Sequence, residues 1–169
     1  MKYTQYREDG RTIVVQGNKW VSVESFPITD DLKINSSSFV SSLKSKEFYY
    51  YKNVDTTNPV NPVITILHGP YLIEDLTIDD YTVIDDTKAK ELFTEILKDP
   101  LFLDEQILDL DFRFQANGLF KSELENCTKI YWLNKKFTLS DRFNSIYNYW
   151  AEFIVIGEND LKLITIGED

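Results

Sequence analysis

Residues 11–27 read RTIVVQGNKWVSVESFP, which is two runs of strand-forming residues joined by the turn dipeptide Gly17-Asn18. The runs contain the β-branched and aromatic side chains that favour extended backbone, namely Ile13, Val14 and Val15, then Trp20, Val21 and Val23. A second turn dipeptide, Asp9-Gly10, comes before them. This spacing predicts three antiparallel strands in the first 26 residues.

Several later segments are also predicted as strands. The chain closes with a predicted hairpin, in which Glu152–Ile156 and Leu161–Ile166 flank a turn at Gly157–Asp160. Between residues 71 and 86, short apolar pieces alternate with acidic doublets, which predicts short strands joined by acidic turns. Further strands are predicted at Phe48–Tyr51, Val63–Leu67 and Lys129–Leu133.

Ile107–Phe114 has the clearest strand alternation in the chain. The pattern predicts Leu108, Leu110, Phe112 and Phe114 on one side, with Asp109, Asp111 and Arg113 on the other. The dipeptide Asn117-Gly118 is predicted to turn the chain after it.

Helices are predicted at three points. A short one follows the capping residues Asn35–Ser38 and includes Phe39, Val40 and Leu43. The strongest begins at Asp86 or Thr87, has an apolar stripe at helical spacing, and ends at Asp99-Pro100. The third begins at Ser140, with Phe143, Ile146, Tyr147 and Trp150 on one face.

The order of these elements indicates an α+β fold with a mainly antiparallel sheet and two or three inserted helices, because strands and helices do not alternate regularly. The proline-rich loop over residues 55–62 is too close to the N-terminus to separate two independent cores, so residues 1–169 are expected to form one domain. The predicted core contains Val63–Leu67, Leu92, Phe93, Ile96, Leu108, Leu110, Phe112, Phe143, Ile146 and Trp150.

The charge of the chain is concentrated in residues 71–111. These 41 residues contain 13 acidic and three basic side chains, so they account for the net charge of −10 of the whole protein. The flanking segments sum to zero. A local field of this sign repels nucleic acid and anionic membranes and attracts basic surfaces.

Common catalytic signatures are missing from the sequence. His68 is the only histidine, and its position before Gly69-Pro70 predicts a turn residue with local hydrogen bonds. Cys127 is the only cysteine, and the neighbouring Glu123 and Glu125 are expected to raise its pKa. The six glycines are isolated and form no phosphate-binding loop. We therefore expect no enzymatic activity and no cofactor.

Carboxylates are the one abundant reactive group. Asp109 and Asp111, predicted on one strand face, together with the doublets Asp79-Asp80 and Asp85-Asp86, suit either a Mg²⁺ or Ca²⁺ site or an acid/base pair. Asp doublets between strands are also typical turn formers and helix caps. Both interpretations stay open at the sequence level.

The sequence also predicts a cytoplasmic protein. The first nine residues contain no apolar segment of the secretory type, no apolar run approaches the length of a membrane span, and one cysteine suits a reducing compartment. A monomer or weak dimer is expected, with no nucleic-acid or membrane partner.

In size, acidity, lack of catalytic motifs and cytoplasmic character, the chain resembles the immunity proteins of bacterial contact-dependent inhibition and polymorphic-toxin systems. The resemblance implies an inhibitor that neutralises a basic toxin domain, such as a nuclease. The alternatives are a nucleic-acid mimic with an anti-defence role and a carboxylate- or metal-dependent enzyme. The predicted partner-binding residues are Tyr71, Glu74, Asp75, Asp79, Asp80, Tyr81, Asp85, Asp86, Asp109 and Asp111. Among them, Tyr71 and Tyr81 are expected to be exposed aromatic anchors beside the acidic groups.

Overall fold

The N-terminal meander is present in the computed structural model, which describes residues 4–8, 11–28, 40–41, 51–55, 63–103, 107–135 and 147–168. Strands β1 (Thr4–Glu8), β2 (Arg11–Gln16) and β3 (Lys19–Pro27) pair antiparallel in sequence order. Gly17 has a φ of 64° in the two-residue turn between β2 and β3, a conformation that glycine adopts without steric cost.

The closing hairpin is confirmed and joins the meander. It consists of β9 (Tyr149–Ile156) and β10 (Asp160–Glu168), and β10 pairs with β3 from Asp160↔Pro27 to Glu168↔Lys19. Strand β8 (Lys129–Leu133) lies beside β9, and β7 (Tyr81–Ile84) lies beside β8. The described strands therefore form a seven-stranded antiparallel sheet in the order β1-β2-β3-β10-β9-β8-β7.

A second, smaller sheet contains β4 (Tyr51–Asp55), β5 (Val63–His68) and β6 (Tyr71–Leu72), in that order. The predicted strand at Val63–Leu67 is thereby confirmed. The turn between β5 and β6 contains Gly69, with a φ of 53°, and the indole ring of Trp150 occupies the place where a Cβ atom would lie. Glycine is required at this turn both for its backbone angle and for the close approach of the main sheet.

The strongest predicted helix is confirmed as α1 (Asp86–Ile96). The Asp85 side chain caps it by accepting a hydrogen bond from the Lys88 backbone N–H at 2.7 Å. Ala89, Phe93 and Ile96 form its buried stripe. A short helix, α2 (Pro100–Leu103), follows and buries Phe102.

The strand predicted at Ile107–Phe114 is wrong, because Leu110–Leu124 forms a helix, α3. Its buried residues are Phe112, Ala116, Phe120 and Leu124, which recur every four positions and so share one helical face. The predicted core residue Leu110 is 82% exposed, and Asn117-Gly118 lies within the helix instead of forming a turn. Within residues 107–114 the apolar residues alternate, and this segment is too short to show the four-residue spacing of the buried helical face.

The predicted third helix is wrong at its C-terminal end, where Trp150 belongs to strand β9. Ser140, Phe143 and Ile146 lie outside the described residues. Of the predicted first helix, only Val40 and Ser41 are described, and both have helical backbone. Residues 48–50 and 56–62, assigned to a strand and a loop, also lie outside the described part of the chain, whereas Tyr51 begins β4.

The main sheet has a buried apolar cluster on each face. Helices α1 and α3 cover one face, where Phe93 stacks on Phe120 with ring centroids 4.1 Å apart, and Phe120 contacts Phe153 of β9. The other face packs with the segment that links the second sheet to β7. The buried residues on that side include Tyr71, Leu76, Tyr81, Tyr131, Trp150, Ile154 and Leu163. The α+β class with a mainly antiparallel sheet is confirmed.

Candidate functional site

Strand β7 lies at one end of the main sheet and has an aspartate pair at each of its own ends. Asp79-Asp80 belongs to a 3-10 turn, Ile78–Asp80, immediately before the strand, and Asp85-Asp86 follows it. A preceding 3-10 turn, Ile73–Asp75, adds Glu74 and Asp75. We refer to β7 together with these six carboxylates as the β7 acidic edge.

Some of these aspartates have local structural roles. Asp80 accepts hydrogen bonds from the backbone N–H and hydroxyl of Thr77 at 2.7 and 3.1 Å, and its carboxylate lies 3.6 Å from Lys135 Nζ. Asp85 caps α1, and Asp86 pairs with Lys90 at 2.5 Å one helical turn away. The interpretation of the doublets as turn formers and helix caps is confirmed for these residues.

The remaining negative charge at this edge is directed to solvent. Glu74, Asp75, Asp79 and Asp85 are exposed. Asp75 and Asp79 make no ion pair within 4.0 Å with any described residue. The carboxylates of Asp75 and Asp79 therefore keep their field available for a charged partner.

The backbone of β7 has one open side in the described structure. The Asn134 N–H donates to the Asp80 carbonyl at 2.8 Å, so Asp80 and Asn134 form a hydrogen-bonded pair. In an antiparallel ladder every second residue of a strand hydrogen-bonds to the neighbouring strand. The backbone groups of Thr82 and Ile84 therefore face β8. The backbone N–H and C=O of Val83 then point away from the sheet, and its side chain is 55% exposed. No described strand pairs with this outer side of β7. An open edge of this kind can add another strand.

The two tyrosines predicted as exposed anchors beside the acidic groups are buried, so that part of the prediction is wrong. Tyr71 and Tyr81 are each 6% exposed. The Tyr71 hydroxyl donates to the Lys135 carbonyl at 3.0 Å, and the Tyr81 hydroxyl donates to Glu152 Oε1 at 2.9 Å. Both rings pack in the core because side chains at the start of β6 and β7 face the sheet interior.

Asp109 and Asp111 are not part of the β7 acidic edge. Asp109 is the N-cap of α3, and its backbone N–H donates to the Gln16 side chain of β2 at 2.9 Å. Strands β2 and β7 are five positions apart in the sheet, a separation of roughly 24 Å. The predicted pair of carboxylates on one strand face does not exist, because both residues belong to the start of a helix.

The described carboxylates do not converge on a metal centre. Among residues 4–8, 11–28, 40–41, 51–55, 63–103, 107–135 and 147–168, no three His, Cys, Asp or Glu side chains are grouped closely enough to hold a metal ion. The half-buried Cys127 has its thiol pKa raised by burial and, to a lesser degree, by the Asp86 carboxylate. A raised thiol pKa is predicted from the sequence, although the carboxylate responsible is Asp86 and not Glu123 or Glu125.

His68 has a long-range role instead of the predicted local one. Its side chain is fully buried, and Nε2 lies 2.7 Å from Oε2 of Glu152, which is also fully buried. The same carboxylate accepts from Trp150 Nε1 at 3.3 Å and from the Tyr81 hydroxyl. Burial first, and then this carboxylate, raise the pKa of Tyr81. These contacts join the second sheet to the main sheet without an opening to solvent, so we assign them to the fold.

A buried ion pair between Lys19 and Glu168 is also not predicted from the sequence. Lys19 Nζ lies 2.5 Å from Glu168 Oε1, and the two residues face each other across β3 and β10. The sequence signal for Glu152 is a charged residue inside the apolar strand YWAEFIVI, whereas Lys19 and Glu168 stand at the first position of β3 and the last position of β10 and give no such signal. A buried charge of this kind requires a partner, but the sequence does not say which one.

Comparisons with protein-family models, curated proteins and solved structures each found no match. Among the described residues, no helix has both the length and the apolar character needed to cross a membrane.

Proposed function

We propose that this chain is a non-catalytic binding protein that neutralises a basic protein partner, with the β7 acidic edge as its contact surface. The observation that carries the proposal is the outer edge of β7 at Val83, with which no described strand pairs and which has an aspartate pair at each end. The backbone edge supplies hydrogen-bonding groups, and the carboxylates supply charge complementarity.

The mode of binding that fits this surface is addition of a partner strand to β7. Main-chain hydrogen bonds give affinity in such complexes, and flanking side chains give specificity. Asp80 and Asp85 are five residues apart, so extended backbone separates them by roughly 17 Å. The matching partner is an extended segment with Lys or Arg toward both ends and apolar residues between them.

The acidic groups also favour rapid encounter with a basic partner. Complementary fields raise association rates, whereas the buried contacts that form afterwards set the lifetime of the complex. The catalytic surface of a nuclease is basic because it binds phosphates, and carboxylates can occupy the same positions. We therefore infer that the partner is a toxin nuclease domain and that the chain acts as its immunity protein in the cytoplasm.

The enzyme and nucleic-acid-mimic alternatives have no comparable observation in their favour. The acidic doublets cap helices and close turns instead of converging in a cleft. Asp109 and Asp111 also lie near β2, apart from the β7 acidic edge, so the acidic residues predicted to bind a partner do not form one row.

The direct test is inhibition of a candidate toxin. A candidate basic nuclease domain from a reading frame next to the gene of this chain is purified, and its nuclease activity is measured with increasing amounts of the present protein. We expect loss of activity at a 1:1 ratio and a complex that survives gel filtration. Polylysine serves as the control for nonspecific charge attraction. A nuclease that stays fully active in excess protein would contradict the proposal.

A further inference from the structure

The outward face of α3 contains large apolar side chains that contact no core. Leu110 and Phe114 are 82% and 77% exposed, and they are one helical turn apart. Gly118 continues the same line, and a Cβ atom placed there would meet nothing within 4 Å. The face therefore presents two large side chains beside a vacant position.

The same face has opposite charges at its two ends. Asp111 is exposed in the first turn of α3, and Lys121 is exposed in its last turn. Lys121 borders a shallow groove formed with α1, and neither side chain makes an ion pair within 4.0 Å with a described residue. Both charges are available to a partner.

The charged residues, the aromatic residue and the glycine of this face occupy sequence positions that are symmetric about Ala116. Asp111 and Lys121 lie five residues on either side of it, and Phe114 and Gly118 lie two residues on either side. When two copies of this helix cross antiparallel with their Ala116 residues at the same level, Asp111 of each copy faces Lys121 of the other. In the same register, Phe114 of each copy faces Gly118 of the other.

We propose that the outward face of α3 binds a second copy of this chain in a two-fold symmetric, antiparallel helix pair. The Phe114 ring of one copy fills the space above Gly118 of the other, and an Asp111–Lys121 ion pair forms at each end of the interface. A two-fold interface requires this reciprocity, in which residue i meets j and j meets i. The antiparallel arrangement also aligns the helix dipoles favourably.

The charge pattern favours a second copy over a different partner. A basic partner would be repelled by Lys121, and an acidic one by Asp111. Asp111 and Phe114 lie near the start of α3 beside β2, whereas Lys121 shares its groove with Asp86 of the β7 acidic edge. The proposal uses α3 residues alone and does not depend on strand addition at β7. One helix pair of 15 residues buries less than a standard stable interface, so the dimer should be weak and concentration-dependent.

The test measures the monomer–dimer equilibrium of the full chain by sedimentation velocity from about 1 μM to about 1 mM. We expect reversible dimerisation that Phe114→Ser and Gly118→Leu each weaken by about tenfold or more. Gly118→Leu is informative because it fills the vacant position and favours helix formation in the monomer. Circular dichroism verifies that each variant is folded.

A charge exchange provides the sharper control. Asp111→Lys alone and Lys121→Asp alone should each weaken dimerisation, whereas the double variant should return it to within about threefold of the original, because each pair is restored with its sign reversed. A chain that is monomeric at every concentration, or a dimer that none of these changes affects, would overturn the proposal. The proposal is equally overturned if the α3 variants stay monomeric and lose only binding to the basic toxin domain.

Discussion

The Glu152 carboxylate lies 2.7 Å from His68 Nε2, although 84 residues separate the two in the chain and both side chains are fully buried. Glu152 also accepts from the Tyr81 hydroxyl and the Trp150 indole N–H. One carboxylate thus connects the second sheet, the start of β7 and the centre of β9. A buried carboxylate is tolerated at this point because three polar side chains form hydrogen bonds with it.

Removing this carboxylate should destabilise the fold strongly. Glu152→Ala is expected to lower the free energy of unfolding by about 3–5 kcal/mol, because His68, Tyr81 and Trp150 each lose the same buried acceptor. Urea denaturation followed by tryptophan fluorescence measures the change. The matched control is Glu158→Ala, an exposed carboxylate that should change the stability by less than about 0.5 kcal/mol. Equal effects of the two substitutions would contradict the assigned role.

The start of α3 gives a second stability prediction. Phe112 is fully buried against the sheet, whereas Leu110 is 82% exposed. Phe112→Ala should therefore cost about 3–5 kcal/mol in the free energy of unfolding. Leu110→Ala should cost less than about 0.5 kcal/mol. Thermal or urea unfolding at a concentration where the protein is monomeric distinguishes this helix from the strand that the sequence predicts, in which both residues would be buried on one face.

The contrast between the exposed Leu110 and the buried Phe112 shows which elements of this chain can be predicted from local sequence patterns. The meander, the closing hairpin, α1 and the acidic β7 turns follow from local signals such as turn dipeptides, caps and apolar period. Residues 107–114 satisfy the strand period within eight positions, and only the longer spacing of Phe112, Ala116, Phe120 and Leu124 reveals the helix. The spacing of apolar residues must therefore be examined over the full length of a helix before a strand is assigned.

The candidate site was predictable only in part, for a related reason. Local charge identifies Asp79-Asp80 and Asp85-Asp86 as exposed or capping groups. Whether β7 is an edge strand depends on the order of seven strands, and that order depends on long-range pairing. The exposure of Tyr71 and Tyr81 depends equally on packing across the sheet.

Charge reversal at the β7 acidic edge should slow binding of the basic toxin domain. Asp75→Lys with Asp79→Lys removes two exposed carboxylates without a described ion pair. We expect at least about a tenfold lower association rate at low ionic strength. The effect should shrink near 1 M salt, where the screening length falls to about 3 Å. Surface plasmon resonance over a series of salt concentrations measures both rates.

The control for that experiment is Glu125→Lys with Glu158→Lys. It changes the net charge by the same amount at exposed positions outside the β7 acidic edge. A purely global charge effect would slow association equally in both double variants. Our proposal requires the Asp75 and Asp79 variant to be clearly slower than the control.

Strand addition at β7 is tested by a substitution that leaves charge unchanged. Val83→Pro removes the one backbone N–H of this residue, which points away from β8, so no hydrogen bond of the sheet is lost. The free protein should remain folded, as its circular dichroism and melting temperature report. Binding to the toxin domain should weaken mainly through a faster dissociation rate, because a main-chain contact is lost after encounter. Thr82 gives the matched control, since its N–H faces β8 and Thr82→Pro should instead destabilise the free protein. If Val83→Pro bound with unchanged rates, the partner would contact the carboxylates without pairing to the strand.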